Sequence, residues 1–375
     1  MDSMRPDLTT LDLTTLGAIG SRGMQVTPLG FGGGTIGAPF VEMEDAVATV
    51  RAAWDSGVRF FDTAPWYGIG RSERRLGVVL ESLDAREAYA VNTKVGKTLV
   101  PEPERDEQFK TLAQDGSVRT PRDRRTGFRV HFDYTYDGVL AQHHDSRQRL
   151  GLAAVDSLTI HDLDWGYQSV EQMQQHLGEL SRDGGGGAKA LEELREAGAI
   201  RAIGIGCNLE ARNAFSWEDP ERNHEDLYER IMEMVDLDFF IVAGGYTLLE
   251  QRALRRLLPL CESRGIRVVI AAPYASGWLA APSDAATYMY APAPAEVVER
   301  SRQMQAICDA HDVPLAAAAL QFPLAHPAVA TVIPGAKTAQ EASENAQRLT
   351  VSVPTAVWSE LKEAGLLDPS APTPG

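Results

Sequence analysis

A rhythm of short apolar runs constrains this chain more than any other feature. They are VTPLGFGG (26–33), VRFFDTA (58–64), AYAVNTKVG (88–96), AVDSLTIHD (154–162), IRAIGIGCN (200–208), VDLDFFIVAGG (235–245), GIRVVIAAP (265–273) and AVATVIPGA (328–336). Helix patterns fall between them. Ala46, Val47, Val50, Ala53 and Trp54 recur at helical spacing, and AKALEELREAG (188–198) is closed by Gly198. The runs are apolar throughout, as in a parallel sheet covered on both faces. Eight βα units predict a single α/β domain of the (β/α)8 TIM-barrel class. A doubly wound sheet shares the alternation and is the rival.

Three stretches interrupt the rhythm: 97–130, 162–187 (ending in GGGG) and 274–296. Each follows a strand end, so all three gather on the C-terminal face of a barrel, where loops form substrate pockets. Residues 1–22 read as a loose leader, 23–365 as the barrel and 366–375 as a frayed tail. With 52 acidic residues against 36 Lys and Arg, the net charge is −16. A surface that tracks phosphates is normally basic, so nucleic acid is not an expected partner. An anionic cofactor needs only a local positive pocket. Cys207, Cys261 and Cys308 are odd in number and widely spaced, which indicates neither a disulfide framework nor a zinc site. The N-terminus lacks the apolar run of a signal peptide, and no segment is apolar enough to span a membrane. The expectation is a cytoplasmic protein with reduced thiols, no metal and no membrane partner. Its oligomeric state is not legible.

GFGGGTIG (30–37) contains a G-x-G-x-x-G match at Gly32, Gly34 and Gly37. The dinucleotide-loop reading requires a helix opening at once onto a pyrophosphate. Here the helix-start signal comes late, between Glu42 and Asp45. Asp62 also lies farther on than the expected ribose-binding acid. The favoured reading is a barrel strand whose exit loop lets a ligand or a neighbouring backbone come close.

Four chemically capable side chains fall at the C-terminal ends of strands or just beyond. FFDTAPWYGIGRSERRLG (60–77) supplies Asp62 and Tyr67, NTKVG supplies Lys94 and TIHDLD supplies His161. In carbonyl–alcohol redox chemistry a hydride moves at carbon and a proton moves at oxygen. Tyrosine, with an unperturbed pKa of about 10, is a poor base unless a neighbouring ammonium stabilises its phenolate. An aspartate would hold that ammonium, and a neutral histidine would orient the substrate oxygen. Singly, each residue has a structural reading: a turn cap, a rim aromatic, a solvated lysine, a core histidine.

These stretches, with IRAIGIGCN and VIPGAKTAQEASEN, resemble the aldo-keto reductase superfamily from about residue 24 to 348. FDYTYDGVL (132–140) and HDLD are most similar to its bacterial D-threo-aldose (L-fucose) dehydrogenase and pyridoxal 4-dehydrogenase branch. The resemblance implies a barrel and an NAD(P)-dependent oxidoreductase acting on a small-molecule alcohol, aldose or carbonyl. It implies Tyr67 as general acid/base, Lys94 and Asp62 as its tuning pair, and His161 as substrate orienter. It places Asn208 on the nicotinamide carboxamide, and the backbone N–H groups of Ser276, Gly277 and Leu279 on the pyrophosphate. Gly335, Lys337, Glu344 and Asn345 fall at the adenosine end. Lys337 would face the ribose 2′ position and so favours NADP, with NAD compatible. The aromatic that many relatives stack on the nicotinamide falls near Ala271, with Tyr274 offset. Tyr246 is either its substitute or a core residue. Trp66, Trp165 and Trp278 either line the substrate pocket or pack loops.

The GKT at 96–98 fails as a phosphate loop because Val91 stands where glycine is required. His143 and His144 are adjacent on a predicted helix and make a poor chelate. Asp162 and Asp164 beside His161 lack a second ligand cluster. Two alternatives remain: a catalytically weak nicotinamide-binding regulatory barrel, and a carbonyl reductase for a non-sugar aldehyde or ketone.

Overall fold

The computed structural model describes residues 16–101, 111–112, 118–119, 122–123, 127–165, 168–209, 223–282, 287–288 and 291–375. Eight parallel strands form the barrel wall: β1 (Phe31–Gly32), β2 (Phe60–Asp62), β3 (Ala90–Pro101), β4 (Ser157–His161), β5 (Ala202–Asn208), β6 (Phe239–Ala243), β7 (Arg267–Ala271) and β8 (Val329–Ile333). Each pairs in parallel with its successor, and the Leu29–Val332 and Gly32–Gly335 bridges close β8 onto β1. The closed ring excludes the doubly wound alternative.

Helices cover the outside of the ring. α1 (Met43–Asp55) and α2 (Arg71–Glu81) follow β1 and β2, and α3 (Tyr136–Leu150) follows β3. α1 turns Ala46, Thr49, Val50 and Ala53 inward, the face its apolar spacing predicts. α3 starts where Thr135 Oγ1 accepts the Gly138 N–H, and it stops at Gly151 in the left-handed conformation. Two apolar layers result. Ile19, Met24, Val26, Phe60, Phe239, Val269 and Ile333 fill the barrel, while a larger layer lies between strands and helices.

The structure corrects several sequence boundaries. The run expected at 26–33 divides. Met24–Val26 pairs with Gly17–Ile19 as an antiparallel hairpin, and Pro28, which has no N–H to continue a ladder, precedes the short β1. That hairpin carries buried Ile19 from the expected leader into the barrel floor. β3 runs past the barrel, and residues 96–101 pair antiparallel with Phe128–Asp133 as an arm within the stretch expected to be irregular. The 162–187 stretch holds α4 (Val170–Leu180), started by a Ser169–Gln172 capping box, before α5 (Gly187–Glu196). Its GGGG is a packed crossing: a Cβ on Gly187 would lie 2.0 Å from the Tyr134 carbonyl oxygen. The segment expected to fray is also packed, with Leu366, Leu367 and Ala371 buried and Lys362 Nζ donating to the Ala371 carbonyl.

Candidate active site

Side chains alternate along a strand, so Asn92 and Lys94 on β3 share the face directed into the barrel. The register sets Asp62 of β2 opposite Asn92, and Lys94 opposite Thr159 of β4. Lys94 Nζ donates to Asp62 Oδ1 and Oδ2 at 2.6 and 2.7 Å and to the Thr63 carbonyl at 2.9 Å. Asn92 Nδ2 donates to Asp62 Oδ1 at 2.7 Å, and Asn92 Oδ1 accepts the hydroxyls of Ser157 and Thr159. The buried carboxylate thus holds the ammonium and is itself braced from two further strands. Burial lowers the Lys94 pKa, and the charge of Asp62 opposes that shift.

Tyr67, half-buried, stands over this pair. The Lys94 ammonium is 4.6 Å from its ring centroid, and the His161 ring meets it edge-on, with centroids 5.7 Å apart. His161 is buried, and burial holds its pKa well below the ordinary imidazole value, so the ring is neutral. Among the described residues, its Nδ1 is buried without a hydrogen-bond partner. The resemblance-derived set Asp62, Tyr67, Lys94 and His161 therefore converges at one end of the barrel.

The glycine stretch serves this arrangement. A Cβ on Gly33 would lie 2.5 Å from the Asp62 carbonyl oxygen, one on Gly37 2.7 Å from that of Tyr67, and one on Gly68 1.8 Å from that of Gly37. No side chain fits where the β1 exit loop lies against the Tyr67 turn. The loop continues into a short 3-10 turn, and α1 begins only at Met43, as the close-approach reading requires. Ser72 secures the same loop from α2, and its neighbour Glu73 ties α2 to β3 and α3. Ser72 Oγ donates to the Gly33 carbonyl, and Glu73 accepts Thr93 Oγ1 and Arg149 Nε.

A second layer escaped the sequence reading. Lys97, wholly buried, places its ammonium 2.5 Å from Asp162 Oδ2 and 4.2 Å from the Trp66 ring centroid. Asn208 Nδ2 donates to Asp162 Oδ1 at 2.9 Å and Asp164 Oδ2 at 3.0 Å. The Tyr134 hydroxyl donates to the His161 carbonyl, and Gln168 Nε2 to that of Asp162. The available signals are the GK in the outer part of β3 and the acids after His161, which in sequence read only as a failed phosphate loop and an unsupported metal site. Among the described residues, no group of three or more His, Cys, Asp and Glu is arranged to hold a metal ion.

The residues assigned to the cofactor are placed unevenly. Asn208 joins the cluster through its bonds to Asp162 and Asp164. The N–H groups of Gly277 and Leu279 donate to the Tyr274 carbonyl, which closes the turn containing Ser276. Tyr274 is buried, its hydroxyl donates to Asn345 Oδ1, and Arg348 links Asn345 to Glu344. Burial pushes the Tyr274 phenol up to about 12. Lys337 is exposed, and its backbone N–H donates to Glu341. Gly335 lies against Thr35, where a Cβ would meet Oγ1 at 2.4 Å. Tyr246 is a core residue, wholly buried against Phe322 and His326. Trp278 packs its loop by donating to Ser301 Oγ, Trp165 is buried and Trp66 half-buried.

The aldo/keto reductase family model matches residues 28–365. Pyridoxal 4-dehydrogenase of Microbacterium luteolum is 37% identical over 357 residues, covering 93% of this chain and 97% of that protein. D-threo-aldose 1-dehydrogenase of a Pseudomonas species is 36% identical over 361 residues, covering 95% and 98%. The holo form of an aldo-keto reductase from Bacillus halodurans shares the fold, with a TM-score of 0.67 at 20% identity, covering 96% of this chain and 98% of that one.

Proposed function

The chain belongs to the aldo/keto reductase family and is a nicotinamide-dependent oxidoreductase; from that premise we propose that Tyr67 is its general acid/base and that it interconverts a ring alcohol, such as an aldose hydroxyl, with the carbonyl or lactone. The observation that carries this reading is the meeting of Tyr67, Lys94, Asp62 and His161 at adjoining strand ends. The two relatives named for a sugar and for pyridoxal support a polar ring as substrate.

Two polar atoms of the cluster have no partner among the described residues: His161 Nδ1 and the Asn208 carbonyl oxygen. A nicotinamide and a substrate oxygen supply groups of the kind these atoms bind, so the residues present fit the cofactor. When bound, the nicotinamide exchanges a hydride with the substrate carbon. In the oxidative direction Tyr67 accepts the proton of the substrate hydroxyl, and in the reductive direction it returns one. Lys94 supplies the positive charge that a phenol needs nearby to release its proton, and Asp62 fixes that charge in place. Neutral His161 holds the substrate oxygen by hydrogen bonding and does not compete for the proton. Trp66, stiffened by Lys97 behind it, forms an apolar wall for a ring face. Lys337 offers charge to a 2′-phosphate, which favours NADP(H) over NAD(H).

The test follows reduced-nicotinamide absorbance with NAD⁺ and NADP⁺ against aldoses, pyridoxal-type alcohols and simple alcohols, and with the reduced cofactors against aldehydes and ketones. Turnover of a ring alcohol or its carbonyl is expected. Absence of turnover with every pair rejects the reading.

A further inference from the structure

Asn208 ends β5 with its side chain inside the cluster, 8% exposed. Its amide nitrogen donates to Asp162 Oδ1 at 2.9 Å and Asp164 Oδ2 at 3.0 Å, and its backbone N–H also points to Asp164, at 3.4 Å. Both amide hydrogens are thereby committed to carboxylates. No hydrogen bond among the described residues reaches the carbonyl oxygen. Charge fixes this orientation: turning the amide over would set its oxygen against two carboxylates and leave its hydrogens facing away from them. Asp162 cannot easily yield. It sits at φ +46°, accepts the Lys97 ammonium on its other oxygen at 2.5 Å, and has its carbonyl held by Gln168. His161 Nε2 lies 3.5 Å from the same carboxylate, which ties this device to the catalytic cluster.

We propose that Asp162 and Asp164 are positioning residues that lock Asn208 as an obligate hydrogen-bond acceptor. The site then reads the amino group of the nicotinamide carboxamide and discriminates against dinucleotides that carry only an acceptor there. This rests on the reading that the nicotinamide binds at Asn208. An acetyl group in place of the carboxamide has a methyl where the amide has its N–H groups, so it brings no hydrogen-bond donor to the Asn208 oxygen. A carboxylate there adds a negative charge beside Asp162 and Asp164. Left unlocked, an asparagine could turn its amide and serve either group.

The experiment titrates the intact protein with NAD⁺, 3-acetylpyridine adenine dinucleotide and nicotinic acid adenine dinucleotide, or their 2′-phosphates if those bind more tightly, by tryptophan fluorescence. The wild type is expected to bind the carboxamide form about tenfold or more tightly than the acetyl form, and to bind the carboxylate form weakest. In Asp164→Asn, and separately in Asp164→Ala, the acetyl-to-carboxamide ratio is expected to contract to within about threefold. A merely structural role would weaken all three ligands together and leave the ratio unmoved. A wild-type ratio near unity, or a ratio unchanged in whichever variant folds, overturns the lock. If no dinucleotide binds, the cofactor reading fails, and that result is distinct from bound ligands without discrimination.

Discussion

Lys94 and Asp62 meet from adjacent barrel strands with the ammonium 2.6 and 2.7 Å from the two carboxylate oxygens, and each residue is only 2% exposed. A buried pair of this kind contributes little net stability as a pair, because desolvation offsets attraction; losing one partner is what costs. Lys94→Met is expected to destabilise by about 3–5 kcal/mol, with Asp62→Asn/Lys94→Met recovering part of the loss. Urea denaturation measures both. A Lys94→Met variant as stable as wild type would mean that Asp62 is not held as a buried carboxylate.

Tyr67→Phe removes the proton-carrying oxygen and keeps the ring between Lys94 and His161. Turnover should fall by about 10²–10⁴-fold, with cofactor affinity changed by less than about twofold. Steady-state rates and fluorescence titration make the comparison, and unchanged turnover would reject Tyr67 as the acid/base.

Gly68→Ala asks for two forbidden things at once: a side chain at φ +62° and a Cβ 1.8 Å from the Gly37 carbonyl oxygen. The backbone must move, and Tyr67 moves with it. A loss of about 1–3 kcal/mol is expected, along with a drop in kcat larger than any change in cofactor affinity. Preserved stability with selective loss of dinucleotide binding would instead favour a phosphate-binding role for the glycine loop.

Burial holds His161 well below the usual imidazole pKa, pushes His143 down to about 4, and lowers His176, His224 and His326. The unfolded chain protonates these rings near pH 6.5. Between the lowered folded values and about 6.5 the unfolded state binds more protons, so stability rises with pH across that window and is lost on acidification. Each such histidine adds about 1.4 kcal/mol per pH unit to the slope. Urea midpoints at about pH 7 and about pH 5.5 should differ in that direction. A flat profile would show that these rings are not buried neutral.

Lys337 is exposed, so its substitution should leave the fold intact. If it faces the ribose 2′ position, Lys337→Ala should weaken NADP⁺ by about tenfold while changing NAD⁺ by less than about twofold. Equal effects on the two cofactors would move the 2′ contact elsewhere.

Periodicity along the chain predicted eight alternating strands and helices and the strand ends that bear Asp62, Lys94, His161 and Asn208, while the closing bridges between the first and last strands decided for a barrel over a doubly wound sheet. The alternation of side chains along a strand is a local property, and eight repeats of strand and helix leave few ways to bury both sheet faces. The distinctive stretch around Tyr67 and the resemblance it carries supplied the roles. Local pattern said nothing of Lys97 finding Asp162 across 65 residues, or of Asp162 and Asp164 closing on Asn208. A lysine and an aspartate have the same letters whether solvated or wholly buried. Only the closing of the ring, the arm that β3 extends beyond it and the turn after β4 decide which charges lose water together, and loss of water is what turns these side chains into partners.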